Sequence, residues 1–168
     1  MAKVVLKLGD DVSTDIIYPG RFMATVLPTE TPQYAFVDMP EFNAKFKKGE
    51  IPVGSVIAAG KNFGCGSSRE QAPQSIKAAG IKAVIAKSFA RIFYRNAFNI
   101  GLCLVECDTD SISDSDILEL DFQNNRVKNV TKNSLIPIKP IPQVMKKLLA
   151  DGGVIEHFKK YKGVKFDA

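Results

Sequence analysis

Two short apolar runs separated by a glycine-rich loop constrain the fold of this chain more than any other feature. The run Ser55-Val-Ile-Ala-Ala59 shows no alternation with polar residues, which is typical of a strand buried on both faces. After the loop comes a helical pattern ending near Gly80, and then a second apolar run at 82–86. Strand, helix and strand in this order predict a βαβ unit with parallel strands.

The pattern continues on both sides of this unit. Ser88 is predicted to cap a helix whose apolar positions keep a 3.6-residue spacing, and residues 102–105 predict a third buried strand. Residues 4–8 alternate apolar side chains with lysine, which indicates an edge-type strand. We therefore expect an α/β fold of the β/β/α type, with a partly parallel central sheet of about three parallel strands and flanking helices.

The remaining segments predict smaller elements. Residues 117–122 and 126–130 flank Asn124-Asn125 and predict a hairpin, and 142–150 predicts a helix closed by Gly152-Gly153. Four prolines between residues 25 and 52 limit that stretch to short helices at 34–39 and 41–47. We expect a single domain over residues 1–168 with a flexible flap at about 22–50.

Composition excludes several functional classes. The 23 Lys+Arg exceed the 18 Asp+Glu by a net charge of +5, but the basic residues are scattered and form no stripe interleaved with aromatics, so we expect no nucleic-acid partner. The sequence has no secretory signal pattern and no long apolar run, which predicts a cytoplasmic protein without a membrane partner. Its three cysteines include no C-x-x-C pair, so we expect this chain to bind no metal by itself.

The loop Gly60-Lys-Asn-Phe-Gly-Cys-Gly-Ser-Ser-Arg-Glu70 leaves a strand and enters a helix, and it predicts an anion site. Free backbone N–H groups and the positive end of the helix attract carboxylate or phosphate, Gly64 and Gly66 allow close approach, and Arg69 can bind a carboxylate with two hydrogen bonds. No lysine follows Gly66, which excludes a P-loop.

Ser67-Ser-Arg-Glu70 also has the spacing of a capping box, in which Ser67 and Glu70 only satisfy the helix terminus. From the spacing alone this interpretation is favoured. Pro73 argues for a helix that starts two or three residues later, because a proline deeper in the helix would remove a hydrogen bond. In that case the Ser67 hydroxyl is left for another role.

Three motifs in order carry a resemblance to a known family. These are Gly9-Asp-Asp-Val-Ser-Thr-Asp15, the loop Asn62-Phe-Gly-Cys-Gly-Ser-Ser-Arg-Glu70, and Ser88-Phe-Ala-Arg-Ile-Phe-Tyr-Arg-Asn96. In this order and spacing the chain resembles the small subunits of isopropylmalate dehydratases in the aconitase superfamily. The resemblance implies a swivelling domain that closes over a large subunit bearing a [4Fe–4S] iron–sulfur cluster.

The resemblance also implies a reaction. A hydro-lyase of this type isomerises 2-isopropylmalate and 3-isopropylmalate in leucine biosynthesis by removing water and adding it back. The substrate is a small 2-hydroxy di-acid, the cluster belongs to the large subunit, and the isolated small chain could form a homo-oligomer. Homoaconitase, a methylmalate, citramalate or dimethylmalate dehydratase, and a non-catalytic anion-binding domain remain open alternatives.

By resemblance, Ser67 is the catalytic base and Asp15 a second catalytic residue. The residues implied to bind the substrate are Ser68, Arg69, Thr14 and Gly66. An ordinary serine hydroxyl is too weak a base near neutral pH, so its alkoxide would need stabilising donors.

The resemblance further implies that a tetrad after the Thr14-Asp15 motif contacts the variable substituent of the substrate. In this sequence the tetrad is Phe22, Met23, Ala24 and Thr25. An arginine at the third position would pair with an extra carboxylate, whereas Ala24 suits an apolar substituent. We therefore expect isopropylmalate rather than homocitrate.

Several polar residues near these motifs are left outside the catalytic set, namely Arg21, Arg91, Arg95 and Asn96. Helical arginines are normally solvated or paired. Cys65 is expected to be a small packing group and His157 a surface residue.

Overall fold

The structure, a computed structural model, describes residues 1–24 and 31–163. Within these ranges the strands form one mixed sheet in the order β4-β3-β2-β1-β5-β6-β7. The strands are β1 (Ala2–Lys7), β2 (Ser55–Ala59), β3 (Ile81–Ala86), β4 (Cys103–Glu106), β5 (Ile117–Asp121), β6 (Arg126–Asn129) and β7 (Ser134–Pro137). The α-helices are α1 (Thr14–Ile17), α2 (Pro40–Lys47), α3 (Gln71–Ala78), α4 (Arg91–Asn99), α5 (Gln143–Asp151) and α6 (Val154–Tyr161).

The predicted βαβ unit is confirmed, because β2 and β3 pair in parallel on either side of α3. The parallel part has four strands rather than about three, since β1 pairs in parallel with β2. The prediction of β1 as an edge strand was wrong: it lies inside the sheet and pairs antiparallel with β5 on its other side. Lys7 is tolerated there because its ammonium group donates to the carbonyl of Thr109 at 2.6 Å.

The predicted hairpin is confirmed by the antiparallel pairing of β5 with β6. Strand β7 was not predicted, and it extends the hairpin with Ile136 opposite Val127. Pro137 weakens the strand signal in this segment, and the position of β7 at the edge of the sheet explains why a proline is accepted.

Apolar side chains fill both faces of the parallel strands. On one face, Ile57 and Val84 belong to a cluster with helix residues such as Phe93 and Phe98. On the other face, Val56 and Ile85 lie in a second cluster with Leu118, Val127 and Ile136 from the antiparallel strands. The sheet therefore curls over itself, and the expected β/β/α layering is confirmed.

Two helix predictions need correction. Residues 34–39 do not form a helix: a 3₁₀ turn at Thr31–Tyr34 is followed by turns, and Phe36 has a positive φ of 51° that no helix allows. Ser88 does not cap α4, which begins at Arg91 without a side-chain cap. The Ser88 hydroxyl instead accepts a hydrogen bond from the backbone N–H of Asn62 at 2.8 Å.

The C-terminal region contains one confirmed and one missed helix. Helix α5 ends at Gly152, whose φ of 87° allows the predicted glycine cap. Helix α6 was not predicted, and it buries His157 to 1% exposure, so the expectation of a surface histidine was wrong. Its Nδ1 lies 2.7 Å from Oδ2 of Asp151 on the preceding helix. None of the helices described is long and apolar enough to cross a bilayer.

Candidate active site

Two loops lie side by side at the edge of the sheet where β1 and β2 end. The N–H of Thr14 donates to the carbonyl of Cys65 at 2.8 Å, and the N–H of Gly64 donates to the carbonyl of Val12 at 2.7 Å. These bonds hold the Thr14-Asp15 motif against the glycine-rich loop. Strand ends of neighbouring parallel strands are the usual place for ligand sites in α/β sheets.

Glycine is required in the second loop for two reasons. Gly64 has a φ of 81°, and a Cβ built on it would lie 2.2 Å from the ring of Phe93. Gly66 has a φ of 91°. A Cβ built on Gly66 would have room, since its nearest neighbour, the Thr14 hydroxyl oxygen, would lie 3.5 Å away. The first glycine packs the loop onto α4, and the second turns the chain toward the serines.

Helix α3 begins at Gln71, with Glu70 at its N-cap position and no side-chain cap. The capping-box interpretation of Ser67 was therefore wrong, and the later start indicated by Pro73 is confirmed. Ser67 and Ser68 are exposed. Within the described part of the chain, the backbone N–H groups of residues 66–70 have no acceptor. Together with the positive end of α3, they favour a bound anion.

Arg69 and Asp15 form the charged part of the site. The Arg69 Nη1 lies 2.5 Å from Oδ1 of Asp15 and donates to the carbonyl of Tyr18 at 3.2 Å. The Arg69 side chain is only 9% exposed, whereas Asp15 is 59% exposed. The hydrogen bond from Arg69 holds the pKa of the Asp15 carboxyl below its usual value, with a smaller contribution from the Gly20 N–H. Among the described residues, no acceptor reaches the buried Nε of Arg69.

Thr14 connects the two loops. It begins the single turn α1, which Ser13 caps through a hydrogen bond from the N–H of Ile16 at 3.3 Å. The Thr14 hydroxyl donates to the carbonyl of Ser67 at 2.9 Å. Five of the predicted site residues thus meet in one place: Thr14, Asp15, Gly66, Ser67 and Arg69. Ser68 follows Ser67 on the same exposed loop.

The substrate-specificity tetrad continues from the same region. Phe22 ends a 3₁₀ turn, Gly20–Phe22, and stacks on Tyr34 with ring centroids 4.3 Å apart. Met23 and Ala24 are exposed. Thr25 lies outside the described residues, as do the next five positions of the predicted flap. Tyr18 and Tyr34 were not predicted to belong to the site, because they lie in no motif and follow no periodicity.

The residues left outside the catalytic set have different environments. Arg21 pairs with Asp38 on the surface. Arg91 and Arg95 are exposed on α4 and have no acidic partner within the described ranges. Together with Gly64 and Gly66 they line a cavity of about 670 Å³. This surface is basic and borders the glycine-rich loop.

The three cysteines, Cys65, Cys103 and Cys107, are free thiols. Burial raises the pKa of Cys103 and of Cys107 to about 12. In the described parts of the chain, no three His, Cys, Asp or Glu side chains are grouped to hold a metal ion. Cys65 is half-buried in the glycine-rich loop.

Comparisons with known proteins agree with this geometry. The family model of the aconitase C-terminal domain matches residues 11–110, which include both loops. The 3-isopropylmalate dehydratase small subunit 2 of Archaeoglobus fulgidus is 50% identical, with 95% of this chain and 94% of that protein aligned. The small subunit of Brachyspira hyodysenteriae is 48% identical, with 95% and 96% aligned.

The chain belongs to the family of 3-isopropylmalate dehydratase small subunits. A solved structure of 3-isopropylmalate dehydratase from Methanocaldococcus jannaschii has the same fold, with a TM-score of 0.86 and 46% identity over 95% of this chain and 93% of that one. The resemblance seen in the three sequence motifs is therefore confirmed across nearly the whole chain. The loops that carry Asp15 and Ser67 lie in the matched region of the family model.

Proposed function

We propose that this chain is the small subunit of a cytoplasmic hydro-lyase that isomerises 2-isopropylmalate and 3-isopropylmalate in leucine biosynthesis. The observation that carries the proposal is the position of Arg69, which Asp15 holds beside the glycine-rich loop. Among the described residues, no acceptor reaches the backbone N–H groups of positions 66–70, and Ser67 in the same loop does not cap helix α3. Family membership supplies the reaction class, and this geometry supplies the groups that the reaction requires.

A substrate carboxylate fits the positive groups of the glycine-rich loop. Asp15 fixes one end of the Arg69 guanidinium beside this loop. Arginine binds carboxylates through two parallel N–H groups, and the loop N–H groups and the Ser68 hydroxyl add further donors. Thr14 and Gly66 contribute by shaping the backbone around this position.

Ser67 is the group that moves the proton between the enzyme and the substrate carbon. Its side chain is exposed beside the carboxylate position, and its carbonyl is held by Thr14. A serine alkoxide is costly near neutral pH, so it has to be stabilised by the surrounding N–H donors, the start of α3 and the Arg69 charge. Removal of the proton from one carbon and of the hydroxyl from its neighbour gives an alkene and water, and adding the proton and the hydroxyl back in the opposite sense yields the other isomer.

In this proposal the iron–sulfur cluster lies on the large subunit, which is the placement that membership of the family implies. When present, such a cluster supplies a Lewis acid for departure of the hydroxyl group. This chain provides the carboxylate site and the base on a single domain that closes over the partner, with residues 22–50 as its flap.

The exposed Met23 and Ala24 favour a substrate with an apolar substituent. Burying an isopropyl group against them gains roughly 0.8 kcal/mol per methylene equivalent. Ala24→Arg should shift relative kcat/KM toward acids with a further distal carboxylate, because a fixed cation can pair with it. Ala24→Leu serves as the matched control, since it adds volume without charge.

The test is co-expression with the cognate large subunit and an anaerobic assay over a panel of 2-hydroxy acids. We expect interconversion of 2-isopropylmalate and 3-isopropylmalate with the highest kcat/KM of the panel. A higher kcat/KM for homocitrate, methylmalate, citramalate or dimethylmalate would reassign the substrate. No turnover of any of them would favour a non-catalytic anion-binding domain.

A further inference from the structure

We propose that Tyr18 and Tyr34 are positioning residues that set substrate selectivity by fixing the specificity segment Phe22–Ala24 relative to Arg69. The inference rests on the proposed function, in which Arg69 holds a carboxylate and this segment meets the substituent. It assigns a role to two aromatic residues that lie outside every motif of the chain.

Tyr18 forms hydrogen bonds both with Arg69 and with the specificity segment. Its side chain and backbone are fully buried, at 0% exposure. Its carbonyl accepts from Nη1 of Arg69 at 3.2 Å, and its hydroxyl donates to the carbonyl of Phe22 at 3.0 Å. A single rigid residue therefore sets the distance between the carboxylate-binding group and the segment that meets the substituent.

Tyr34 supports the same segment from the 3₁₀ turn Thr31–Tyr34. Its ring stacks on Phe22 with an interplanar angle of 15°, and it meets Tyr18 edge to face with centroids 6.2 Å apart. Such ring pairs contribute beyond the burial of their area. On the surface, Arg21 lies over the Phe22 ring at 4.8 Å and pairs with Asp38.

These contacts give Phe22 a different role from that of Met23 and Ala24. Phe22 is partly buried and held by its stack, so it acts as a support for the segment. Met23, at 42% exposure, and Ala24 carry the surface that faces a substituent. Movement of Phe22 relative to Arg69 changes the depth available to that substituent and leaves the carboxylate site intact. The expected signature is altered selectivity rather than a uniform loss of rate.

The test compares three variants in the enzyme reconstituted with its large subunit. Tyr18→Phe removes only the hydroxyl, Tyr34→Leu removes the stacking ring, and Tyr34→Phe keeps the ring as the matched control. For each variant, kcat/KM is measured with isopropylmalate and with methylmalate. We expect the ratio of the two values to change at least threefold in Tyr18→Phe and Tyr34→Leu, and by less than 1.5-fold in Tyr34→Phe.

An equal fall with both acids, at a constant ratio, would show a merely structural role and overturn the proposal. A second readout needs no substrate, namely amide hydrogen exchange of Phe22 and Met23 in the isolated full chain. We expect at least threefold faster exchange in Tyr18→Phe than in the wild type, and unchanged exchange would also overturn it. Wild-type turnover of isopropylmalate tests the proposed function separately, so the two failures are distinguishable.

Discussion

The parallel half of the sheet (β1–β4) and the antiparallel half (β5–β7) use polar residues in opposite ways. In the parallel half, strands such as β2 are buried throughout, and the polar groups gather in the loops beyond the strand ends. In the antiparallel half, β6 alternates buried and exposed residues, and its polar groups pair within the sheet. Within the described ranges, the loops of the parallel half leave backbone N–H groups free for a ligand, whereas Asn129 of the antiparallel half is paired within the sheet.

Asp15 and Asp116 show this contrast at the level of single carboxylates. Asp15 is exposed and orients an arginine that keeps an unused donor. Asp116 is 3% exposed and accepts from the N–H of Ser113 at 2.9 Å and from the amide of Asn129 at 2.7 Å. We propose that the loops of the parallel half carry the site and that the antiparallel half contributes to stability, and the predictions below test this division.

The largest expected effect is on activity alone. Ser67→Ala should lower kcat of the reconstituted enzyme by about 10²–10⁴-fold, because it removes the proton-transfer group. Its free energy of unfolding should change by less than about 0.5 kcal/mol, since this side chain caps no helix. Anaerobic steady-state kinetics and urea unfolding measure the two quantities. Ser111→Ala, at an exposed serine outside the site, is the control, and full activity in Ser67→Ala would remove it as the base.

The second prediction is a loss of stability without a loss of activity. Asp116→Ala should lower the free energy of unfolding by about 2–3 kcal/mol, because it leaves the buried Asn129 amide without its acceptor. The kcat of the assembled enzyme should stay unchanged. Urea unfolding of the isolated chain measures the loss, with Asp114→Ala as an exposed control. A loss of activity without a loss of stability would break the division between the two halves.

A smaller effect is expected at Asp15. Asp15→Asn removes the charge that orients Arg69 and should raise KM roughly 10-fold. Initial-rate measurements over a range of substrate concentrations give KM. Asp114→Asn is the matched control, and an unchanged KM in Asp15→Asn would place Arg69 outside the carboxylate site.

The smallest effect concerns pH. Burial alone would raise the pKa of Asp116, but hydrogen bonds from Ser113, Asn129 and Lys132 outweigh it and leave the pKa below its usual value. Because the folded pKa is the lower one, this stabilisation is present above the unfolded pKa of about 3.9 and is lost as pH falls through the folded value. Urea unfolding from pH 6 to pH 3 should show a shallower decline in Asp116→Asn than in the wild type. Parallel curves would contradict the prediction.

Local patterns predicted the elements whose signals lie within a few residues. Strands β2 and β3, the hairpin β5–β6 and the glycine end of α5 fall at or near their predicted positions. Predictions from local patterns were wrong for the edge position of β1, the helix cap at Ser88 and the surface position of His157. For β1 and Ser88 a partner distant in sequence decided the outcome, namely β5 for the strand and Asn62 for the hydroxyl. His157 was wrongly assigned to the surface because helix α6, which carries it, was not predicted.

By itself the sequence determined the βαβ unit, the glycine-rich anion loop and the family, because periodicity, glycine and motif order are properties of the chain. Only the tertiary structure decided that Ser67 caps nothing, that Arg69 pairs with Asp15, and that Tyr18 joins Arg69 to Phe22. The physical reason is that hydrogen bonds and burial depend on distance in space. Residues on separate loops acquire their partners only when the strands beneath them pair.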